Sequence, residues 1–154
     1  MESRRITLSG ITRHPTEAWM TQMARNAVDD TSGAPAQCRY VLHDRDANFC
    51  VAFKDVLASE GIQRLRLPAR SPNLNAFAER WVGSVKDECL SRLILFGGHS
   101  LQRALAEFIA HYHSERNHQG KGNVLFPSPT LATHSRIRCR ERLGGLLRYY
   151  CRAA

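Results

Sequence analysis

Asp44 closes the most apolar short stretch of the chain, Cys38-Arg-Tyr-Val-Leu-His43, and Glu79 stands early in a long run of helical periodicity that begins near Asn75. If the first stretch is a strand and the intervening loop folds the helix start back, the two carboxylates meet beyond the carboxyl end of that strand. Open α/β sheets collect their ligands there. Two hard oxygen donors suit Mg²⁺ or Mn²⁺ far better than zinc. Positions 75, 79, 83 and 86 differ by three or four, so Asn75, Glu79, Gly83 and Lys86 form one stripe on the helix. A carboxylate with a lysine two turns further on is what a site holding both a metal and a phosphate backbone needs. Arg64, Arg66 and Arg70 flank the region and are candidates to track a phosphate chain, although the first two equally fit outward-facing strand positions. Spacing alone leaves a plainer reading open, with Asp44 a turn former and Glu79 and Lys86 solvated helix positions.

Periodicity indicates the elements that must position these residues. Residues 4–11 alternate through Ile6 and Leu8 and predict a short half-buried strand ending at Gly10. Pro15 suits a first helical turn, and Trp19, Met20, Met23, Ala24, Ala27 and Val28 predict an amphipathic helix over 15–29. Residues 30–36 are rich in turn formers; after them 38–43 reads as a buried strand. A helix follows from Asn48 and is stopped by Gly61, then a short strand over 63–68 and a loop over 69–75. Phe77, Ala78, Trp81, Val82, Val85, Cys89, Leu90 and Leu93 give residues 75–95 a broad apolar face, and a last helix covers 100–116. This order predicts one α/β domain whose later strands are parallel. The tail over 136–152, with six Arg and one Glu around Leu143-Gly-Gly-Leu-Leu147, predicts a loosely packed basic arm or a small amphipathic appendage.

The 154 residues, 43% of them hydrophobic, suffice for one core. Twenty-two Lys+Arg against fourteen Asp+Glu, a formal +8, favour a polyanionic partner, with nucleic acid leading. No stretch approaches a membrane span and no signal-peptide core follows Met1, so the expected location is cytoplasmic, without a membrane partner. The five cysteines are odd in number and form no C-x-x-C pair, which argues against a disulfide framework or a zinc ribbon. His111, His113 and His118 do not make a zinc pattern either. Helical geometry sets the first two about 200° apart, and they are expected at the surface. Trp19 and Trp81 are expected in the core.

The strings Leu42-His-Asp44-Arg-Asp46-Ala-Asn-Phe49 and Ser71-Pro-Asn73-Leu-Asn75-Ala-Phe-Ala-Glu79-Arg-Trp81 resemble the integrase catalytic core of insertion-sequence transposases, and so does Val85-Lys86-Asp87-Glu88. The stretch over 111–120 resembles the closing helix of that core. The likeness runs over about 4–132, leaving 133–154 as a basic carboxyl-terminal tail. It implies a ribonuclease-H-like α/β fold. It also implies an Asp-Asp-Glu triad whose second and third members fall on Asp44 and Glu79 as catalytic and metal-binding residues. Lys86, Asn75 and Arg70 become the DNA-binding candidates, and Mg²⁺ or Mn²⁺ the cofactor. The chemistry implied is two-metal phosphoryl transfer in DNA transposition or integration on a mobile element, with transposon ends and target as substrates and a homo-oligomer left open.

No residue matches the first Asp of that triad, because the strand over 4–11 resembles the third strand of the family's sheet. The chain is therefore expected to lack the first two strands. Asp29 and Asp30 fall at the end of the first helix, far from the strand tips, and Asp46 and Asp87 match no triad member. Loss of the first strand leaves 4–11 without its neighbour, each buried unsatisfied backbone group costing ~1–3 kcal/mol, so a weakened or partner-dependent fold is expected. The implied function is transposition chemistry impaired in this chain; the alternative is an inactive remnant that only binds DNA.

Overall fold

The structure, a computed structural model, describes residues 5–29, 38–70, 72–116 and 136–152. The turn-rich segment 30–36, His118 and the end of the expected closing helix lie outside these residues. Two compact units emerge, one formed by Ser9–Glu79 and the other by Met1–Leu8 with Arg80–Ala154.

In the first unit, α1 (Glu17–Val28) packs against α2 (Val51–Ser59), and β1 (Tyr40–His43) pairs with β2 (Gln63–Arg66). Thr16 caps α1 by accepting from the Trp19 amide at 3.3 Å, so Pro15 precedes the cap rather than entering the first turn. Met20, Ala24, Leu57 and Ile62 are the buried apolar residues. Gly61, at φ +70, turns the chain out of α2 in the left-handed conformation that a C-terminal glycine supplies without a Cβ penalty.

β1 and β2 run parallel with Leu42 opposite Leu65, and α2 makes the crossover. The expectation of parallel later strands is met, but that of a buried β1 is not. Parallel partners in register share a face, and Tyr40, Leu42 and Leu65 on this one are 45%, 42% and 47% exposed. Parallel sheets are ordinarily covered on both faces; among the described residues this sheet has two strands only.

Residues 5–11 form no strand, which corrects the reading of 4–11. The alternation is present, but no neighbouring strand among the described residues supplies a ladder. The Ile6 amide donates instead to His113 Nε2 at 2.8 Å. Gly10 lies so close to α1 that an added Cβ would sit 2.9 Å from Met23 Sδ and 3.0 Å from a ring carbon of Trp19.

The second unit is built on α4 (Gly97–Ser114), whose Ala104, Phe108, His111 and Tyr112 make a buried stripe at helical spacing. Val85 and Cys89, at the end of α3 (Ala76–Glu88), complete the core with Leu147, and Trp81 packs beside them as expected. The predicted helix over 75–95 stops at Glu88 because Ser91 Oγ and Arg92 Nε donate to the Asp87 carbonyl at 3.0 and 3.3 Å, satisfying an end of the helix. Phe77, expected on the apolar face, is 51% exposed. Cys89 is fully buried, its thiol directed at the Ala104 carbonyl, and burial raises its pKa.

The basic tail is not a loose arm. β3 (Ile137–Arg142) and β4 (Leu147–Arg152) form an antiparallel hairpin, turning through Leu143, Gly144 and Gly145 at φ 52, 67 and 90. Leu147 enters the core, and Arg142 makes a two-pronged contact with Glu115, Nε to Oε2 at 3.0 Å and Nη2 to Oε1 at 2.8 Å. Arg140 adds a donor to Oε1 at 3.3 Å and His111 Nδ1 one to Oε2 at 3.0 Å. His111 is thus buried, not at the surface as its sequence position suggests; a buried carboxylate holds it.

Candidate active site

Asp44 follows directly on the last residue of β1. The ladder is extended past the strand ends by the Leu67 amide donating to the His43 carbonyl at 2.9 Å, which keeps the two strand tips side by side. Buried His43 donates from Nδ1 to the Asp44 carbonyl at 2.7 Å, and its ring packs on Phe49 with centroids 4.9 Å apart. Beyond it the chain makes two successive side-chain-closed turns: Asp44 Oδ1 accepts from the Asp46 amide at 3.0 Å, and Asp46 Oδ1 from the Asn48 amide at 2.8 Å. Asp44 is therefore a turn former as well as a strand-end carboxylate. Among the described residues its second oxygen has no hydrogen-bond partner. Asp46 is consumed by the turn, which also delays the start of α2 from Asn48 to Val51.

The chain leaves β2 through Leu67 and Pro68 and reaches Arg70, a non-glycine residue at φ 55. Such a conformation costs of order 1–3 kcal/mol and is found where the surroundings over-determine it. A short 3-10 turn at Pro72–Asn75 then leads into α3. The result is a cleft of about 300 Å³ lined by Asp44, Arg45, Leu67, Arg70, Asn75 and Glu79, with Pro68 and Ala69. Asp44, Glu79, Asn75 and Arg70, drawn from separate parts of the sequence, are brought together. Lys86 is exposed on α3 two turns beyond Glu79 and is not among the lining residues; Arg64 and Arg66 are exposed strand residues outside it. Asp29 caps α1, its amide donating to the Arg25 carbonyl at 3.0 Å, and it too is outside the cleft.

Arg45 is the lining residue that reading from the sequence did not single out. Its Nε donates to the Leu67 carbonyl at 3.1 Å, which anchors the guanidinium between the two strand ends. The available signal was its place directly after Asp44 in the Asp-Arg string.

The donor set can be tested against the divalent cation. Two carboxylates and the Asn75 side chain offer oxygen donors at a solvent-exposed cleft, and Mg²⁺ accepts one or two carboxylates while keeping several waters. The residues present fit such an ion. Among the described residues there is no group of three or more His, Cys, Asp or Glu able to hold a metal, so neither a histidine site nor a third carboxylate adds to the pair.

Residues 60–124 match the family model of the integrase core domain. That stretch is somewhat less than half of the 154 residues, and the match supports an integrase/transposase catalytic core. Arg70, Asn75, Glu79 and Lys86 lie within it, and Asp44 lies before it. The chain matches no curated protein and no solved structure. No helix among the described residues is long and apolar enough to cross a membrane.

Proposed function

We propose that this chain is a ribonuclease-H-like integrase core that binds DNA at the Asp44–Glu79 cleft and whose own phosphoryl transfer is impaired. Residues 4–132 form the core and 133–154 an accessory basic tail. The observation that carries this reading is the shared cleft: Asp44 from a strand end and Glu79 from a helix line one pocket together with Asn75 and two arginines. Asp44 and Glu79 would hold Mg²⁺ or Mn²⁺, which when bound supplies Lewis-acid charge to a transferring phosphoryl group. The turn bond from the Asp46 amide fixes the Asp44 carboxylate before any ligand arrives. Arg45 and Arg70 offset the two carboxylates, so that an added cation leaves the cleft net positive and attractive to a phosphodiester. Asn75 and Lys86 extend the polar stripe of α3 along which a DNA strand would lie.

Impairment follows from the ligand count. Two-metal phosphoryl transfer relies on carboxylates that bridge the ions, and among the described residues two carboxylates, Asp44 and Glu79, line this cleft. Transposon ends and target DNA of a mobile element are the substrates this reading assigns, in the cytoplasm; a homo-oligomer is the assembly in which a further carboxylate could arrive from another copy.

Titration with Mn²⁺, followed by the loss of the free-ion paramagnetic resonance signal, tests the site. Asp44→Asn with Glu79→Gln is expected to weaken Mn²⁺ binding at least roughly tenfold, since both hard anionic donors are gone. An unchanged affinity would remove the basis of the proposal. A metal-dependent strand-transfer assay addresses the second half: vigorous turnover by the chain alone would show that two carboxylates suffice.

A further inference from the structure

The hairpin in the second unit is asymmetric along its length. At the turn end, Leu143, Leu146 and Leu147 pack on the core, and Arg140 and Arg142 are committed to Glu115, with Arg142 also donating to Glu107 at 2.7 Å. At the open end the opposite holds. Arg136 and Arg138 are exposed, and among the described residues neither has an acidic partner. Ile137 and Tyr150 are each 62% exposed, and Cys139, paired across the strands with Tyr150, is exposed too. Alternation puts Arg138 on one face of the ribbon and Cys139 and Tyr150 on the other. A hairpin whose role was only to seal the core would have no use for free cations on one face and an uncovered aromatic on the other.

From this arrangement we infer that the open end of the β3–β4 hairpin is a DNA-docking ribbon that enters a groove of duplex DNA, with Arg136 and Arg138 on backbone phosphates and Tyr150 against the groove wall. The inference rests on the DNA reading above but concerns residues that the cleft does not use. A two-stranded β-ribbon fits the major groove of B-DNA, roughly 12 Å wide, and the open end of this one presents exposed side chains to it. The charge supports a polyanion: residues 136–152 carry six arginines and one glutamate. Alternation puts Arg138 on the same face as Arg140 and Arg142; the two at the turn end are answered by Glu115 and Glu107, while Arg138 and Arg136 at the open end are left for a ligand. The anchor on α4 makes the ribbon a rigid support, which lowers the entropy lost on docking.

Fluorescence anisotropy with a duplex of about two helical turns, and with one of its strands alone, tests the inference. The wild-type chain is expected to prefer the duplex. Arg136→Gln with Arg138→Gln should weaken duplex binding roughly tenfold and flatten the log–log salt dependence by about 1.8, two phosphate contacts at ~0.9 each. Duplex DNA should also slow alkylation of the Cys139 thiol in the wild-type chain and protect it far less in the double variant, a readout that does not depend on total affinity. An unchanged salt slope in the double variant, alongside weakened binding in Arg70→Gln, would overturn the ribbon while leaving the cleft reading intact. Tighter binding of the single strand would likewise overturn it. Failure of the wild-type chain to bind either DNA would overturn both readings together.

Discussion

Glu115→Ala is expected to destabilise the second unit by about 3 kcal/mol, the lower end of what removal of one partner from a buried ion pair costs. The Glu115 side chain is 2% exposed and its two oxygens accept from Arg142, Arg140 and His111. Their loss leaves Arg142, itself only 19% exposed, with the single contact to Glu107, which is why the upper end of the range is not reached. The surface pair Arg116–Glu88, though two-pronged and as short as 2.6 Å, is about one-third exposed on both sides and should be worth about 1 kcal/mol or less. The same network sets a pH dependence. Hydrogen bonds from Arg142, ahead of those from His111 and Arg140, hold the Glu115 carboxyl at about 2 rather than the ordinary 4.5. A folded-state pKa below the unfolded one gives stability that is complete above pH 4.5 and lost as pH falls from there towards 2. The amount is on the order of 3 kcal/mol. Urea midpoints measured at pH 7, 4 and 3 should therefore fall steeply for the wild-type chain and less so for the variant. Parallel pH curves would refute the assignment.

Phe108→Ala should cost the same unit about 3–5 kcal/mol. Phe108 is fully buried in the cluster that joins α3, α4 and β4, with the Tyr112 ring 6.2 Å away. Truncation removes apolar contacts and leaves a void, because Val85 and Cys89 at the end of α3 and Leu147 on β4 belong to separate elements that cannot all close inward. Phe108→Leu, which keeps most of the volume, should cost under about 1.5 kcal/mol. Each unit holds one tryptophan, Trp19 in the first and Trp81 in the second, so Trp81 fluorescence in a Trp19→Phe background reads the loss where it occurs. Equal midpoints for the Ala and Leu variants would show that Phe108 is not the packing centre of this core.

The helices and the parallel pair were legible because their signals are local: a proline near the start of α1, a glycine at 61, a 3.6-residue period through α3 and α4. The convergence of Asp44, Asn75 and Glu79 was legible for a different reason, the tendency of α/β strand ends to face ligands, reinforced by the motif strings. What escaped was set by contacts across the chain. Arg45 is aimed by the carbonyl of Leu67, and His111 is buried by a glutamate whose charge is answered by two arginines of the hairpin. The hairpin itself carried a signal in Gly144-Gly145, a pair that tolerates positive φ, but the arginines around it invited a reading as solvated charge. Residues 4–11 failed in the opposite sense. They carry a strand pattern, yet a strand exists only where another offers hydrogen bonds.

Cys89 gives the molecule a built-in clock. Its sulfur sits at zero exposure in the same cluster as Phe108, and burial keeps it in the unreactive thiol form. Electrophiles added to the native protein will label the exposed thiols Cys38 and Cys139 first. The slow label that follows at position 89 then times how often the α3–α4 core breathes open.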